Sequence, residues 1–304
     1  MSAKSRMTLS PSHESLSFSH QILGWAAVLG SAFCFYLATA IIRWADPYVE
    51  ITTSYFVFSR FLLGFIVVCF SMYVSGHRLK PKKYHLLIGR TLANSIAVFC
   101  FYKAVDVGTL AEANILNMTY PLFVALFSWF FVKEQRDFFS LFIVVVACTG
   151  IWMILSPGDM SMKVNNLWGL TSGITAAAAM IYLNVSRRYH DSQTILFFMF
   201  GLGALVMLIM FRSSIFWPDW QEFGFLFACS AAGVLGQYLL TYGFLYVTAV
   251  EGSIVSSSRI LLAALLGPLI VGDPTLSIAG WCGALLIFLA NSSLAVRKSR
   301  ARSL

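Results

Sequence analysis

Ten predominantly apolar segments of close to bilayer-spanning length run along this chain, at residues 22–42, 53–73, 84–104, 113–132, 138–155, 168–185, 195–211, 223–246, 253–271 and 277–296. A hydrocarbon core about 30 Å thick is crossed by ~17–25 helical residues rising about 1.5 Å each. With 59% of its residues hydrophobic and 11% charged, the chain lacks the polar surface to enclose a soluble core. Lipid offers backbone N–H and C=O groups no partner, so each segment is expected to be a helix. The segments are too long and too uniformly apolar for barrel strands. The expected fold is an all-α membrane protein of ten transmembrane helices. Residues 1–21 are polar and Ser-rich with no short apolar core, so they read as a cytoplasmic tail rather than a cleavable signal peptide.

The formal net charge of +8 suggests nucleic acid until the cations are placed along the chain. They gather in the two tails and in the loops around residues 78–83, 133–136 and 187–188. Only Arg43, Lys103, Lys163 and Arg212 fall on the opposite side. Lysine and arginine accumulate on the cytoplasmic face of membrane proteins, so both termini, including the basic tail 297–304, are expected inside the cell, with the chain in the inner membrane. Nucleic acid is not an expected partner; the lipid bilayer is. Each of the six cysteines, Cys34, Cys69, Cys100, Cys148, Cys229 and Cys282, sits in an apolar segment without a CxxC pair or a neighbouring histidine at ligand spacing. They read as small buried hydrophobes, and neither a metal nor another cofactor is expected.

An internal repeat organises the segments. Tyr102-Lys-Ala-Val-Asp-Val-Gly-Thr-Leu-Ala-Glu112 corresponds to Tyr242-Gly-Phe-Leu-Tyr-Val-Thr-Ala-Val-Glu251 with a one-residue slip. Glu112 to Glu134 and Glu251 to Asp273 then have the same 22-residue separation, and Gly24 and Tyr36 of the first segment match Gly169 and Tyr182 of the sixth. Five helices is an odd number, so the second copy enters the membrane from the opposite side. The expected units are 22–155 and 168–296, two inverted repeats, an arrangement in which carriers bind substrate near the midplane and rock one half against the other.

The run from Tyr102 to Glu134 has an aromatic-rich end of helix three, an Ala-Glu-Ala-Asn start of helix four, Tyr120-Pro121 within that helix and Lys133-Glu134 closing it. In this it resembles the drug/metabolite transporter superfamily, EamA type. The resemblance implies ten helices, two EamA repeats and a central cavity lined mainly by helices one, three, four, six, eight and nine. The second repeat has Arg259-Ile260 where the first has Tyr120-Pro121, and its proline comes later, at Pro268.

Arg259 is the foremost candidate for substrate contact. Eight residues beyond Glu251, it lies about 12 Å deep and close to the midplane if Glu251 marks the cytoplasmic start of helix nine. An arginine at such depth costs at least ~2.5–3.5 kcal/mol unless it meets a partner or a wet cavity. Arg60 and Arg90 lie nearer helix ends and are expected to snorkel or serve structure. Asn94, Asn114, Asn117, Tyr120, Gln237 and Tyr238 place polar groups in apolar helices, and Asn114, Asn117 and Tyr120 share one helix face. Such groups either bond between helices or line a cavity. Tyr36 and Tyr182 would shape the pocket. Glu112 and Glu251 open helices four and nine, where a carboxylate complements the helix dipole; a coupling or gating role is the competing reading. Pro121 removes a backbone donor and is expected to loosen helix four for gating.

No GxxxxGK[ST] phosphate loop and no HExxH motif occur, and all five histidines lie in expected tails or loops. The chain therefore reads as a secondary transporter, not an enzyme. The expected cargo is a small polar metabolite, an amino acid or a related carboxylate compound, with protons as candidate coupling ion and a monomer or weak dimer as the expected state; the direction is not encoded, though the resemblance implies export. Two alternatives stay open: a carrier of cationic or nucleoside-like metabolites, in which Arg259 is structural, and a non-transporting membrane sensor or scaffold.

Overall fold

The computed structural model describes residues 18–76, 78–131, 138–155, 164–187, 189–246 and 255–300; side chains are described for most of these. The described chain is helical, with no strand. In order, the helices are α1 (Phe18–Ala45), α2 (Thr53–Ser75), α3 (Tyr84–Val107), α4 (Leu110–Asn117), α5 (Tyr120–Phe131), α6 (Phe138–Leu155), α7 (Leu167–Ser186), α8 (Ser192–Met210), α9 (Trp220–Tyr246), α10 (Arg259–Leu266) and α11 (Ile278–Arg300). Six stretches of at least 18 residues are long and apolar enough to cross a bilayer, and three shorter apolar stretches, Phe142–Leu155, Val255–Val271 and Ile278–Leu294, accompany them. Glu134, Glu251 and the tail residues 1–17 and 301–304 lie outside the described residues.

The helix ends follow local chemistry. Gly76, with φ of 63°, closes α2 in the left-handed conformation that costs glycine little, its N–H returning to the Met72 and Tyr73 carbonyls. Asp219 and Glu222 exchange backbone hydrogen bonds of 2.8 Å each at the start of α9, a reciprocal cap. Large apolar side chains face outward in helical stripes: Leu62, Ile66, Phe70 and Tyr73 on α2, and Ile88, Leu92 and Ile96 on α3, are all exposed. This is the pattern of a bundle whose solvent is hydrocarbon.

The expected fourth and ninth segments are each interrupted. Met118 and Thr119 separate α4 from α5, and Ser258 forms a turn immediately before α10. Pro121 has no N–H to offer the carbonyl four residues earlier, that of Asn117, so the ladder opens there. The hydroxyl of Thr119 donates to the Leu116 carbonyl at 2.6 Å, and Asn291 of α11 donates to the Met118 carbonyl at 2.8 Å. At the far end of the ninth segment, Pro268 lies in a π-helical turn, Gly267–Val271. The expectation that helix nine runs unbroken past Arg259 is thus corrected: Arg259 is the first residue of a new helix.

Besides contacts of α4 and α5 with α7 and of α2 with α9, long-range packing pairs α1 with α9, α2 with α8, α3 with α7, α6 with α11, and α4 with α10. Numbering the ten segments in chain order, with α4 and α5 as the fourth, these pairs are 1 with 8, 2 with 7, 3 with 6, 5 with 10, and 4 with 9. Shifting every number by five returns the same set. Small residues permit a close approach between α6 and α11. A Cβ at Gly283 would stand 2.6 Å from the Gly150 carbonyl oxygen, and one at Gly150 would stand 2.9 Å from that of Gly283. Without a hydrophobic drive between helices in lipid, such contact is how the dispersion gain is made.

Candidate functional site

Arg259 is buried, 5% exposed, and its guanidinium is enclosed by aromatic rings and an amide. The Cζ atom lies 5.2 Å from the centroid of Phe101 on α3 and 5.7 Å from that of Phe35 on α1. Its Nη2 donates to the side-chain oxygen of Asn117, the last residue of α4. The two broken segments therefore meet through their central side chains. Asn117 donates its amide nitrogen to the Ser172 hydroxyl of α7 at 2.5 Å, while the guanidinium, a donor only, requires the amide oxygen on its own side. Tyr120, just beyond the break, is half-buried beside Ser256 and the Arg259 charge.

A second guanidinium shares the Phe35 ring. Arg60 of α2 is 7% exposed, and its Cζ lies 5.4 Å from the Phe35 centroid and 5.7 Å from that of Tyr102. Its Nη1 donates to the Tyr102 hydroxyl at 3.0 Å. Of the two roles open to Arg60, snorkelling to a membrane interface is overturned: Gly233 faces it on α9, and it turns inward. Arg90, also expected near an interface, is buried against Met199 of α8, with Nη2 3.9 Å from the sulfur. Among the described residues no carboxylate lies within ion-pair distance of Arg60 or Arg259, and the Nε atoms of both are buried without a hydrogen-bond partner.

Other expected residues divide into those near this centre and those elsewhere. Asn114 is fully buried, donating to the Leu110 carbonyl at 2.8 Å and reaching Thr39 of α1 at 3.4 Å, while its side-chain oxygen has no partner among the described residues. Tyr36, on α1, is buried, and Tyr238, on α9, is half-buried; both keep their hydroxyls buried and without a partner among the described residues. Gln237 is half-buried on the same helix and Asn94 half-buried on α3. Tyr182 is the clear departure: it is 39% exposed, and its ring lies across Gly89 of α3, where a Cβ would stand 2.5 Å from it. It packs α7 on α3 rather than shaping the centre.

Glu112 is buried at the start of α4, where Thr109 accepts a hydrogen bond from its backbone N–H at 3.2 Å. The Thr-x-x-Glu spacing and this bond form the helix cap that the sequence allows. An open cleft lined by Val107, Gly108, Thr109, Glu112 and the 164–166 turn reaches it. Asp273 supplies what sequence reasoning missed. Its carboxylate accepts the Leu110 N–H at 2.6 Å and pairs with Arg43 of α1 at 3.1 Å, while Trp44 donates to the Ile270 carbonyl at 3.1 Å. The ends of α1, α4 and the π-helical turn are thereby joined. The matched spacing of Glu112–Glu134 and Glu251–Asp273 was the available signal, but spacing does not say which helix end a carboxylate will reach.

His190 is buried, although expected in an open loop. Its Nε2 accepts the N–H groups of Lys82 and Lys83 at 3.0 and 3.1 Å, so Nδ1 carries the proton and donates to the Ser186 carbonyl at 3.2 Å. The ring ties the α2–α3 loop to the end of α7.

The sequence pattern of the EamA-like transporter family matches residues 22–156 and 164–293. An uncharacterized transporter of Helicobacter pylori is 26% identical over 291 residues, covering 90% of this chain and 95% of the relative. The pseudopaline exporter CntI of Pseudomonas aeruginosa is 28% identical over 225 residues, covering 73% and 78%. Human solute carrier family 35 member G1 is 23% identical over 91% of this chain and 80% of its own length. A solved crystal structure superposes with a TM-score of 0.57 at 18% identity, over 94% of this chain and 99% of the other, and shows the same fold.

Proposed function

The chain belongs to the EamA-like transporter family and is a multi-pass membrane transporter rather than an enzyme; from that premise we propose that it is a secondary carrier of a small anionic metabolite, an amino acid or related carboxylate compound. The observation that carries this reading is Arg259: a buried cation at the junction of two broken segments, held by one amide and two ring faces, with no carboxylate partner among the described residues. A carboxylate arriving there would replace lost hydration with a two-bond fork. Asn117, Tyr120 and Gln237 complete the polar contacts, with Asn114, Tyr238, Tyr36 and Asn94 around them. A cationic cargo would meet repulsion at the same point.

The pair-exchange symmetry of the packing supports two inverted repeats, units 22–155 and 168–296, working by alternating access. The cation distribution supports an inner-membrane chain with both termini cytoplasmic, and the exporter relative supports outward movement. Proton coupling belongs to the same proposal, through Glu112, beside an open cleft, or Glu251. Gln at the coupling position should flatten the pH dependence of uphill transport; unchanged profiles in both variants would leave the two acids as caps.

The test of the anchor is double, on detergent-purified protein. Arg259→Ala should abolish carboxylate binding while the melting temperature holds, because a cavity cation relieved of burial need not destabilise its surroundings. Arg259→Lys should bind markedly more weakly, lacking the planar fork. A structural arginine behaves otherwise: losing it would lower the melting temperature while whatever folds keeps its affinity, and that result would overturn the proposal.

A further inference from the structure

Two cations, not one, converge on the centre. Arg60 and Arg259 come from α2 and α10, far apart in sequence, yet both place their guanidinium carbons against the single ring of Phe35, at 5.4 and 5.7 Å from its centroid. Their separation therefore cannot exceed the sum of those distances. Like charges buried this close repel, and the low-dielectric surroundings screen them poorly. Cation–π contact with Phe35, Phe101 and Tyr102 offsets part of this. It supplies no opposite charge, and each arginine retains a buried Nε proton without an acceptor among the described residues.

The environment of Arg60 is also shaped for an inward-turned guanidinium. A Cβ on Gly233 of α9 would stand 2.9 Å from Nε and 3.0 Å from Cδ, so only glycine leaves the side chain where it is. Tyr102, which accepts the Nη1 hydrogen bond, is itself wholly buried. These contacts set the position of the charge and leave Nε uncommitted, as does the packing around Arg259.

We propose that Arg60 is the second half of the substrate site, so that the molecule carried bears two negative charges, one for each guanidinium. This rests on the Arg259 anchor proposed above and adds the charge of the cargo: a dicarboxylate-type or phosphate-type dianion rather than a simple monocarboxylate. A dianion bridging the pair satisfies both Nε donors and cancels the repulsion in one step. A monoanion leaves one buried cation unmatched.

Succinate and butyrate share a four-carbon chain and differ by one carboxylate, which makes them the discriminating probes, with citrate and inorganic phosphate as further arms. Calorimetric titration of the purified wild-type protein should show succinate binding at least about tenfold more tightly than butyrate. Arg60→Gln should bring the two within about threefold, and Arg60→Lys should keep part of the difference. Gly233→Ala, which displaces the Arg60 guanidinium without removing its charge, should reproduce the loss with the protein still folded. Phosphate matching or exceeding succinate in the wild type would identify a phosphate-type cargo within the same proposal. Equal binding of succinate and butyrate, with citrate and phosphate no tighter, overturns the dianion reading. So does an unchanged succinate preference in both Arg60→Gln and Gly233→Ala. If Arg259→Gln still abolishes butyrate binding in those cases, the anchor stands and only the second charge falls.

Discussion

At the scale of the residue, the centre is arranged around an imbalance: guanidinium donors outnumber acceptors. Asn117 is the only side chain the described structure places in hydrogen-bond contact with Arg259, and it is an amide where a carboxylate would fit. Asn117→Asp should therefore supply the missing negative charge internally. A buried ion pair with the hydrogen bond already in place is stronger than the neutral contact by about 1 kcal/mol or more, so the melting temperature should hold or rise while carboxylate binding is lost. A variant that binds carboxylates as before would show that Arg259 does not meet the cargo. The identity of Arg259 and Asn117 as candidates was legible because each is a polar group in an apolar run. Arg60 was not: a position near a helix end permits snorkelling or inward turning, and which one occurs depends on Gly233 across the interface, on a helix far away in sequence.

At the scale of the element, interruptions matter more than helices. Pro121 announces the first break, since an imide cannot serve the Asn117 carbonyl. Nothing as plain marks the second: Ser258 carries no such prohibition, and its turn is known only from the folded chain. The half-helix α4 begins at Leu110, whose N–H is met by Asp273 from the end of the ninth segment, so a carboxylate stands at the positive end of the α4 dipole. This contact and the Arg43 pair together tie the ends of α1, α4 and the ninth segment to one another. Asp273→Asn should cost about 1–3 kcal/mol in stability from the weakened charge-assisted bonds. It should also make a cysteine introduced at Thr109 react faster with a small impermeant maleimide. Equal labelling rates with and without the substitution would remove this junction from any part in gating.

At the scale of the whole molecule, orientation sets the side of the membrane on which that junction lies. If both termini are cytoplasmic, the Arg43–Asp273 contact lies on the outer side. In a background without native thiols, an impermeant maleimide applied to intact cells should label Trp217→Cys, whose parent residue is 95% exposed after α8, and should spare Lys82→Cys. The reverse pattern would exchange the inner and outer assignments of every loop.

Sequence alone determined that the chain lies in lipid and is all-helical, because an apolar run of bilayer length with nowhere else to satisfy its backbone has one solution. It pointed to a repeat, through recurring residues at matched spacing, and determined the family, through the Tyr102–Glu134 run. It could not determine which polar side chains converge. Arg60 from α2, Phe35 from α1, Phe101 from α3, Asn117 from α4 and Arg259 from α10 come together only when α4 meets α10 and α1 packs on α9. Tyr182 matches Tyr36 by position in the repeat, yet one packs over Gly89 and the other is buried, because a repeat conserves register along a helix while neighbouring helices decide what each face meets. Periodicity constrains one chain segment at a time; the charge of the centre is a property of five.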